Sequence, residues 1–349
     1  MSKYSFENFI IQCCKAREWD LRKFLKKLLE RNGFQIVEDD YVSHRDARFS
    51  TVHNMLAIRG KPRVCLVAHT DVCRDHVSHQ MPEVDPAIKL TTIEGELRAI
   101  IQDRDCKTQV GGDDRLGVAI NTWVATNTGY DIALLFTTDE EMGLVSAEYV
   151  KFPELNNFDL LVQVDRGNNS NQLVTNISGV QLCSWRTGDL LIKIAEEIGL
   201  PRYKVQGFLT DVLAIKTNGV CREAVNMTCG YHNSIGADSD EYIDIQEAKD
   251  TMKYVASIVK YYDLESIIDD GVLTDGNGRS LIDEIAEEII EQQNSMPAFR
   301  TGTHRNRRNE RRFAHAAYGY EEDLFSEERY NADKYNDDEP DWANINFSR

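Results

Sequence analysis

No apolar stretch in this 349-residue chain approaches the roughly 20 residues that a membrane-crossing helix requires. The first twenty residues, MSKYSFENFIIQCCKAREWD, have no basic start followed by an apolar stretch and a small-residue cleavage site. They read as an ordinary helix, not as a signal peptide. The eight cysteines include no C-x-x-C pair, which leaves a structural zinc knuckle without support. Several lie inside apolar runs, such as Cys65 in VCLVA and Cys229 in VNMTC, where a reduced, buried thiol is the plain reading. A reducing, cytoplasmic setting is therefore expected. Positive charge is scarce: Lys+Arg number 40 against 58 Asp+Glu, a formal net charge of −18. Such a surface repels phosphate backbones and anionic lipid, so neither nucleic acid nor membrane is an expected partner. No internal repeat is visible.

What is present suffices for a packed core. Apolar residues make up 42% and charged residues 28%, a globular balance, and the length suits one large domain or two ordinary ones. EWDLRKFLKKLLER carries apolar residues at helical spacing and stops before Asn32-Gly33. FQIVE, NMLAIRG and VCLVAH follow as strands, and KLTTIEGELRAI as a hairpin turning near Glu94-Gly95. A helix over 114–127, a buried strand DIALLFTT, a helix near 143–151, and strands FDLLVQVD and NQLVTN come next. Helices at 187–198 and 210–218, a strand REAVNMTC and a long helix over 246–264 complete the pattern. Alternating strands and helices predict an α/β fold: a mixed, mostly parallel central sheet with helices on both faces. Composition changes after residue 265. Residues 1–265 read as one catalytic domain. Residues 266–349 read as a turn-rich linker, an amphipathic helix SLIDEIAEEIIEQQN and a disordered tail with a basic block and an acidic block.

Four apolar runs each lead into residues that bind metals. VCLVA runs into His69-Thr70-Asp71, IALLFTT into Asp139-Glu140-Glu141, LLVQV into Asp165, and AVNMTCGY into His232. Asp113-Asp114 lies in a Gly-rich loop before a helix. Ligands of α/β sheets collect at the carboxyl ends of strands. Two divalent ions roughly 3.5–4 Å apart need a bridging carboxylate plus a His and a carboxylate each. One more carboxylate nearby can take a proton from the attacking water. Each piece alone has an ordinary alternative. A Glu pair after a strand can be a solvated helix start, and an Asp pair before a helix can be an N-cap. Their joint order at strand ends is what points to chemistry. Such a donor set suits zinc, with cobalt or manganese as alternatives.

The ordered segments HTDV, GGDDRLGVA, FTTDEEMG, VDRG and YHNS…DEYIDI resemble the dinuclear zinc exopeptidases. That superfamily includes peptidase T, the carboxypeptidase G and acetylornithine deacetylase relatives, and the bacterial leucyl-type aminopeptidases. The resemblance covers residues 55–262 and implies a role for each position. His69 binds one metal and Asp71 orients it through the second ring nitrogen. Asp113 bridges both ions, with Asp114 as the alternative, and the peptide between them is cis. Glu140 is the general base. Glu141 and Asp165 each bind one ion, and His232 completes the second. Asp211, in GFLTDVLA, is a candidate substrate contact and equally a helix N-cap.

Three departures stand out. Gly112 replaces the Ala of the peptidase T wording, a change expected to be neutral. Arg166 follows Asp165 where relatives have Gly or a small residue, and so faces either a substrate carboxylate or solvent. No interval is long enough for the lid domain that peptidase T and the deacylases carry between the positions of Asp165 and His232. The expectation is a lidless, two-metal exopeptidase acting as an aminopeptidase on short peptides, capable of oligomerising. The alternatives are a deacylase or amidohydrolase on a small N-acyl substrate, and a non-enzymatic metal-binding interaction protein.

Overall fold

A computed structural model describes residues 5–41, 53–73, 87–101, 109–168, 170–234 and 240–268. The expected linker, helix and charged tail beyond residue 268 lie outside the described residues.

The chain opens with helix α1 (Phe6–Lys15), capped by Ser5, whose hydroxyl oxygen accepts the Asn8 N–H. Helix α2 (Glu18–Arg31) buries Leu21, Leu25 and Leu29, one residue per turn on one face, and ends at Asn32 and the left-handed Gly33. The large sheet contains β1 (Gln35–Glu38), β2 (Met55–Arg59), β3 (Val64–His69), β6 (Ile132–Thr137), β7 (Leu160–Arg166), β8 (Gln172–Ile177), β9 (Val180–Gln181), β10 (Tyr203–Gly207) and β11 (Ala224–Thr228). Their order is β1-β2-β6-β3-β7-β11-β8-β10, with β9 paired to β8. The central strands β6, β3, β7 and β11 are mutually parallel. β1, β2 and β8 join antiparallel, and β10 is parallel to β8. The mixed sheet with a parallel centre is the expected one.

The central strands are apolar throughout because both faces are covered. Leu66, Ala68, Leu134, Phe136, Val162 and Val164 point into one core. That core is closed by α1, α2, α3 (Gly112–Asn127), α4 (Trp185–Glu197) and α6 (Ile245–Ile268). Cys65, Val67, Ala133, Leu135 and Leu161 point into a second core against α5 (Asp211–Thr217) and two short 3₁₀ turns. Those turns, at Ala147–Tyr149 and Pro153–Asn157, replace the helix expected over 143–151. The positive φ of Gly143 and Leu144, and Pro153 beyond, interrupt any continuous helix there.

A second, antiparallel sheet has the order β12 (Tyr231–His232), β13 (Tyr242–Asp244), β5 (Glu96–Ile101), β4 (Ile88–Ile93). The β4–β5 hairpin turns at Glu94 and Gly95, both with positive φ, as a two-residue hairpin loop requires. Because β6, β3 and β7 are parallel neighbours, their carboxyl ends lie along one edge of the large sheet. His69, Glu140 and Asp165 are delivered there.

Candidate metal centre

His69 is the last residue of β3 and continues the alternation of Cys65 and Val67. Its ring is fully buried. Nδ1 lies 3.1 Å from the main-chain oxygen of Asp71 and 3.4 Å from its carboxylate, which leaves Nε2 facing inward. Nε2 is 3.2 Å from Asp113 Oδ1, and 3.8 Å from both Glu140 Oε2 and Asp165 Oδ1. His69, Asp113 and Asp165 each offer a ligand atom, and these atoms lie within 4.8 Å of one another. Asp71 has a second function: its two carboxylate oxygens accept the N–H groups of Glu140 and Glu141, each at 3.1 Å. It braces the turn that carries both glutamates.

The structure distinguishes the two adjacent aspartates. Their peptide is cis. Asp113 turns its carboxylate to the His69 ring, whereas Asp114 turns to main-chain N–H groups, those of His69 at 3.2 Å and Gly117 at 3.1 Å. Asp165 is held at Oδ1 by the Tyr231 hydroxyl at 3.1 Å and at Oδ2 by the Gln163 amide at 3.0 Å. Asp211 accepts from Thr137 at 2.7 Å and from Gln163 at 3.2 Å. Its other oxygen is buried with no hydrogen-bond partner among the described residues.

Three further candidates have other hydrogen-bond partners. Glu141 Oε1 accepts the Cys73 N–H at 3.1 Å. His232 Nε2 lies 2.9 Å from Glu247 Oε2, and its ring stacks on Tyr242 at 4.9 Å. Arg166 donates to Gln172 at 2.6 Å.

The electrostatics follow from packing many carboxylates around one imidazole. Burial pulls the His69 imidazole down, but Glu140, Asp113, Asp71 and Asp165 outweigh it and hold the ring well above its ordinary range. Burial, joined by the charges of Asp211, Asp113 and Asp71, pushes Glu140 up to about 9 against the pull of His69. Burial and the neighbouring Asp114 and Asp113 charges push Asp165 well up. Burial also lifts Asp211 to about 6. Asp113 goes the other way: burial would raise it, but His69 holds it below the usual carboxylate range. Six buried or half-buried carboxyls around one ring leave an excess of negative charge. A divalent cation accepting His69, Asp113 and Asp165 would offset part of it, so this donor set fits the ion.

No family model and no curated protein matches the sequence. Solved structures do match. One is the aminopeptidase PepT of Bacillus cereus, at a TM-score of 0.57 and 14% identity, with 73% of this chain and 97% of that one covered. Another is a TET aminopeptidase of a marine-sediment thaumarchaeon, at 0.55 and 13%, covering 75% and 98%. A third is the glutaminyl cyclase of Tannerella forsythia, at 0.51 and 15%, covering 73% and 97%. The chain has the fold of these aminopeptidases. Residues that local patterning did not single out complete the site of this aminopeptidase-like fold. Glu18, on α2, accepts the hydroxyls of Thr70 at 2.7 Å and Thr138 at 2.6 Å, tying the end of β3 to the end of β6. Tyr231 occupies space that Gly112 and Gly167 leave. A Cβ at Gly167 would lie 2.1 Å from its ring, and one at Gly112 would lie 2.7 Å from Tyr231 Cβ. Gly112 is thus a packing requirement and not the neutral change expected.

Proposed function

We infer that this chain is a metal-dependent hydrolase of peptide bonds, acting as an aminopeptidase on short peptides. One observation carries the reading: a buried His69 grouped with the half-buried Asp113 and Asp165, with Glu140 beside them, at the carboxyl edge of a sheet whose fold is that of aminopeptidases. These three residues would hold one divalent ion, with zinc the best match to a His-and-carboxylate set and cobalt or manganese the alternatives. Such an ion supplies Lewis acidity to the scissile carbonyl. A second ion on Asp113, Glu141 and His232 would have to use His232 through Nδ1 or draw it away from Glu247.

The protein's own groups account for the proton traffic. Glu140 Oε2 accepts a proton as water oxygen bonds to the carbonyl carbon. The same carboxyl then delivers that proton to the departing amine nitrogen as the C–N bond breaks. Asp71 keeps Glu140 in place through its main-chain N–H, and Tyr231, Gln163 and Thr210 keep Asp165 in place. The test is a panel of aminoacyl amides, short peptides, N-acyl amino acids and an N-terminal glutaminyl peptide, run with zinc, cobalt or manganese. Release of the N-terminal residue from free-amine peptides is the expected outcome. Turnover confined to N-acyl substrates would make it a deacylase, and turnover confined to the glutaminyl peptide would make it a cyclase. Loss of all turnover in the presence of bound metal would remove the enzyme reading.

A further inference from the structure

The loop that carries Asp113 is held by a residue far away in the sequence. Gly111, in the left-handed region with φ 82°, and the two residues after it turn three successive N–H groups toward one point. Runs of converging main-chain N–H groups of this kind make anion-binding concavities. Here the anion comes from the chain itself. The Glu241 carboxylate accepts from Gly111 at 2.7 Å, from Gly112 at 2.8 Å and from Asp113 at 3.2 Å, across 130, 129 and 128 residues of sequence. Glu241 is 4% exposed, so these bonds are shielded from competing water.

The geometry points to Glu241 as the positioning residue for Asp113: its carboxylate fixes the loop so that Asp113 Oδ1 faces His69 Nε2 and the group is pre-assembled for a cation. This rests on the metal reading above. Three features support it together. Oε1 of Glu241 binds the N–H of Asp113 itself, so the restraint acts on the residue whose carboxylate lies 3.2 Å from the imidazole. Gly112 lets the carboxylate approach, since a Cβ there would lie 3.0 Å from Glu241 Oε1 and 3.1 Å from Ile243 Cγ1. And Glu241 directly precedes β13, which pairs with β12 and β5, so the clamp is anchored in the second sheet. The small sheet thereby acts on the metal group of the large one. Asp71 braces the Glu140 turn from inside that edge, and Glu241 braces the Asp113 loop from outside it. A hydrogen-bonding partner that orients a metal ligand is worth about 10–100-fold in metal affinity.

The test is zinc and cobalt affinity of the full chain, measured by competition with a chromophoric chelator, with the d–d spectrum of bound cobalt as a second readout. Glu241→Gln keeps the volume but turns amide hydrogens toward at least one of the three N–H groups. It should bind zinc about 10–100-fold more weakly and shift the cobalt spectrum. Leu29→Ala, in the core between α2 and the sheet and remote from the site, supplies a destabilised comparison that should keep wild-type affinity. If Glu241→Gln does not fold, Glu241→Asp, which withdraws the same charge by one methylene, is measured instead and should show the same weakening. Wild-type affinity and spectrum in the Glu241 variant would overturn the inference while leaving the metal reading intact. So would an equal loss of affinity in Leu29→Ala. A wild-type chain that binds neither ion would overturn both.

Discussion

Glu140→Gln should make the protein slower and, without metal, more stable. The Glu140 side chain is 17% exposed, with Oε2 3.8 Å from His69 Nε2. Burial, aided by Asp211, Asp113 and Asp71 and opposed by His69, moves its carboxyl from an ordinary 4.5 to about 9. Between those two values the folded chain holds a proton that the unfolded chain has released. Folded protein binding more protons means that stability falls as pH rises from 4.5 towards 9. At pH 7 the span is about 2.5 units, which at about 1.4 kcal/mol per unit gives about 3 kcal/mol. That figure is an upper bound, because the carboxyls of the cluster titrate together and share the effect. Gln carries no charge to suppress. In chelator, Glu140→Gln should therefore be more stable than wild type at pH 7 by up to about 3 kcal/mol, several degrees in Tm, with the gap nearly closed at pH 5. With zinc restored, turnover should drop by about 10²–10⁴-fold, the usual worth of a general base. Thermal denaturation by circular dichroism at the two pH values, beside peptide hydrolysis with zinc, reads both effects. Identical pH dependence of stability in the two proteins would refute the electrostatic argument, and wild-type turnover in the variant would refute the assignment of the base.

The two histidines should behave differently. His69→Ala removes the one imidazole of the His69–Asp113–Asp165 group and should abolish the tightest zinc binding, whereas His232→Ala, whose ring sits on Glu247, should retain that ion and affect only a second one. Elemental analysis after gel filtration would decide this, and equal losses in both variants would contradict the placement of His232. Gly112→Ala should destabilise the fold by about 1–3 kcal/mol, the usual cost of overpacking, because its Cβ would meet Tyr231 Cβ at 2.7 Å. Chemical denaturation would measure it, and an unchanged midpoint would show that Tyr231 and the loop yield freely.

Much of the fold was legible in local pattern. VCLVAH, IALLFT and LLVQV are apolar at both parities, which is what a strand covered on both faces must be, and all three are central parallel strands. The 3.6-residue spacing located α2 and the long α6, and Glu94-Gly95 located the hairpin. Where the pattern failed, a tertiary or turn constraint prevailed. Residues 143–151 have helical composition but begin with two positive-φ residues. β10, YKVQG, is an edge strand with mostly exposed side chains and little apolar signal.

The donor types and their order belong to the sequence alone: His69 and Asp165 end apolar runs, and a strand's period of two already places His69 on the face of Cys65 and Val67, and Asp165 on the face of Leu161 and Gln163. Which of them meet was decided by the tertiary structure. The order β6-β3-β7 sets the ends of three distant segments side by side. The turn after Gly111 selects Asp113 over Asp114 to face the imidazole. Glu247 holds His232, and Glu18 and Glu241 reach the site from helix α2 and the second sheet. No local periodicity encodes these contacts, because they are made between groups far apart in the chain, and their directions depend on loop backbones that only the packed sheets fix.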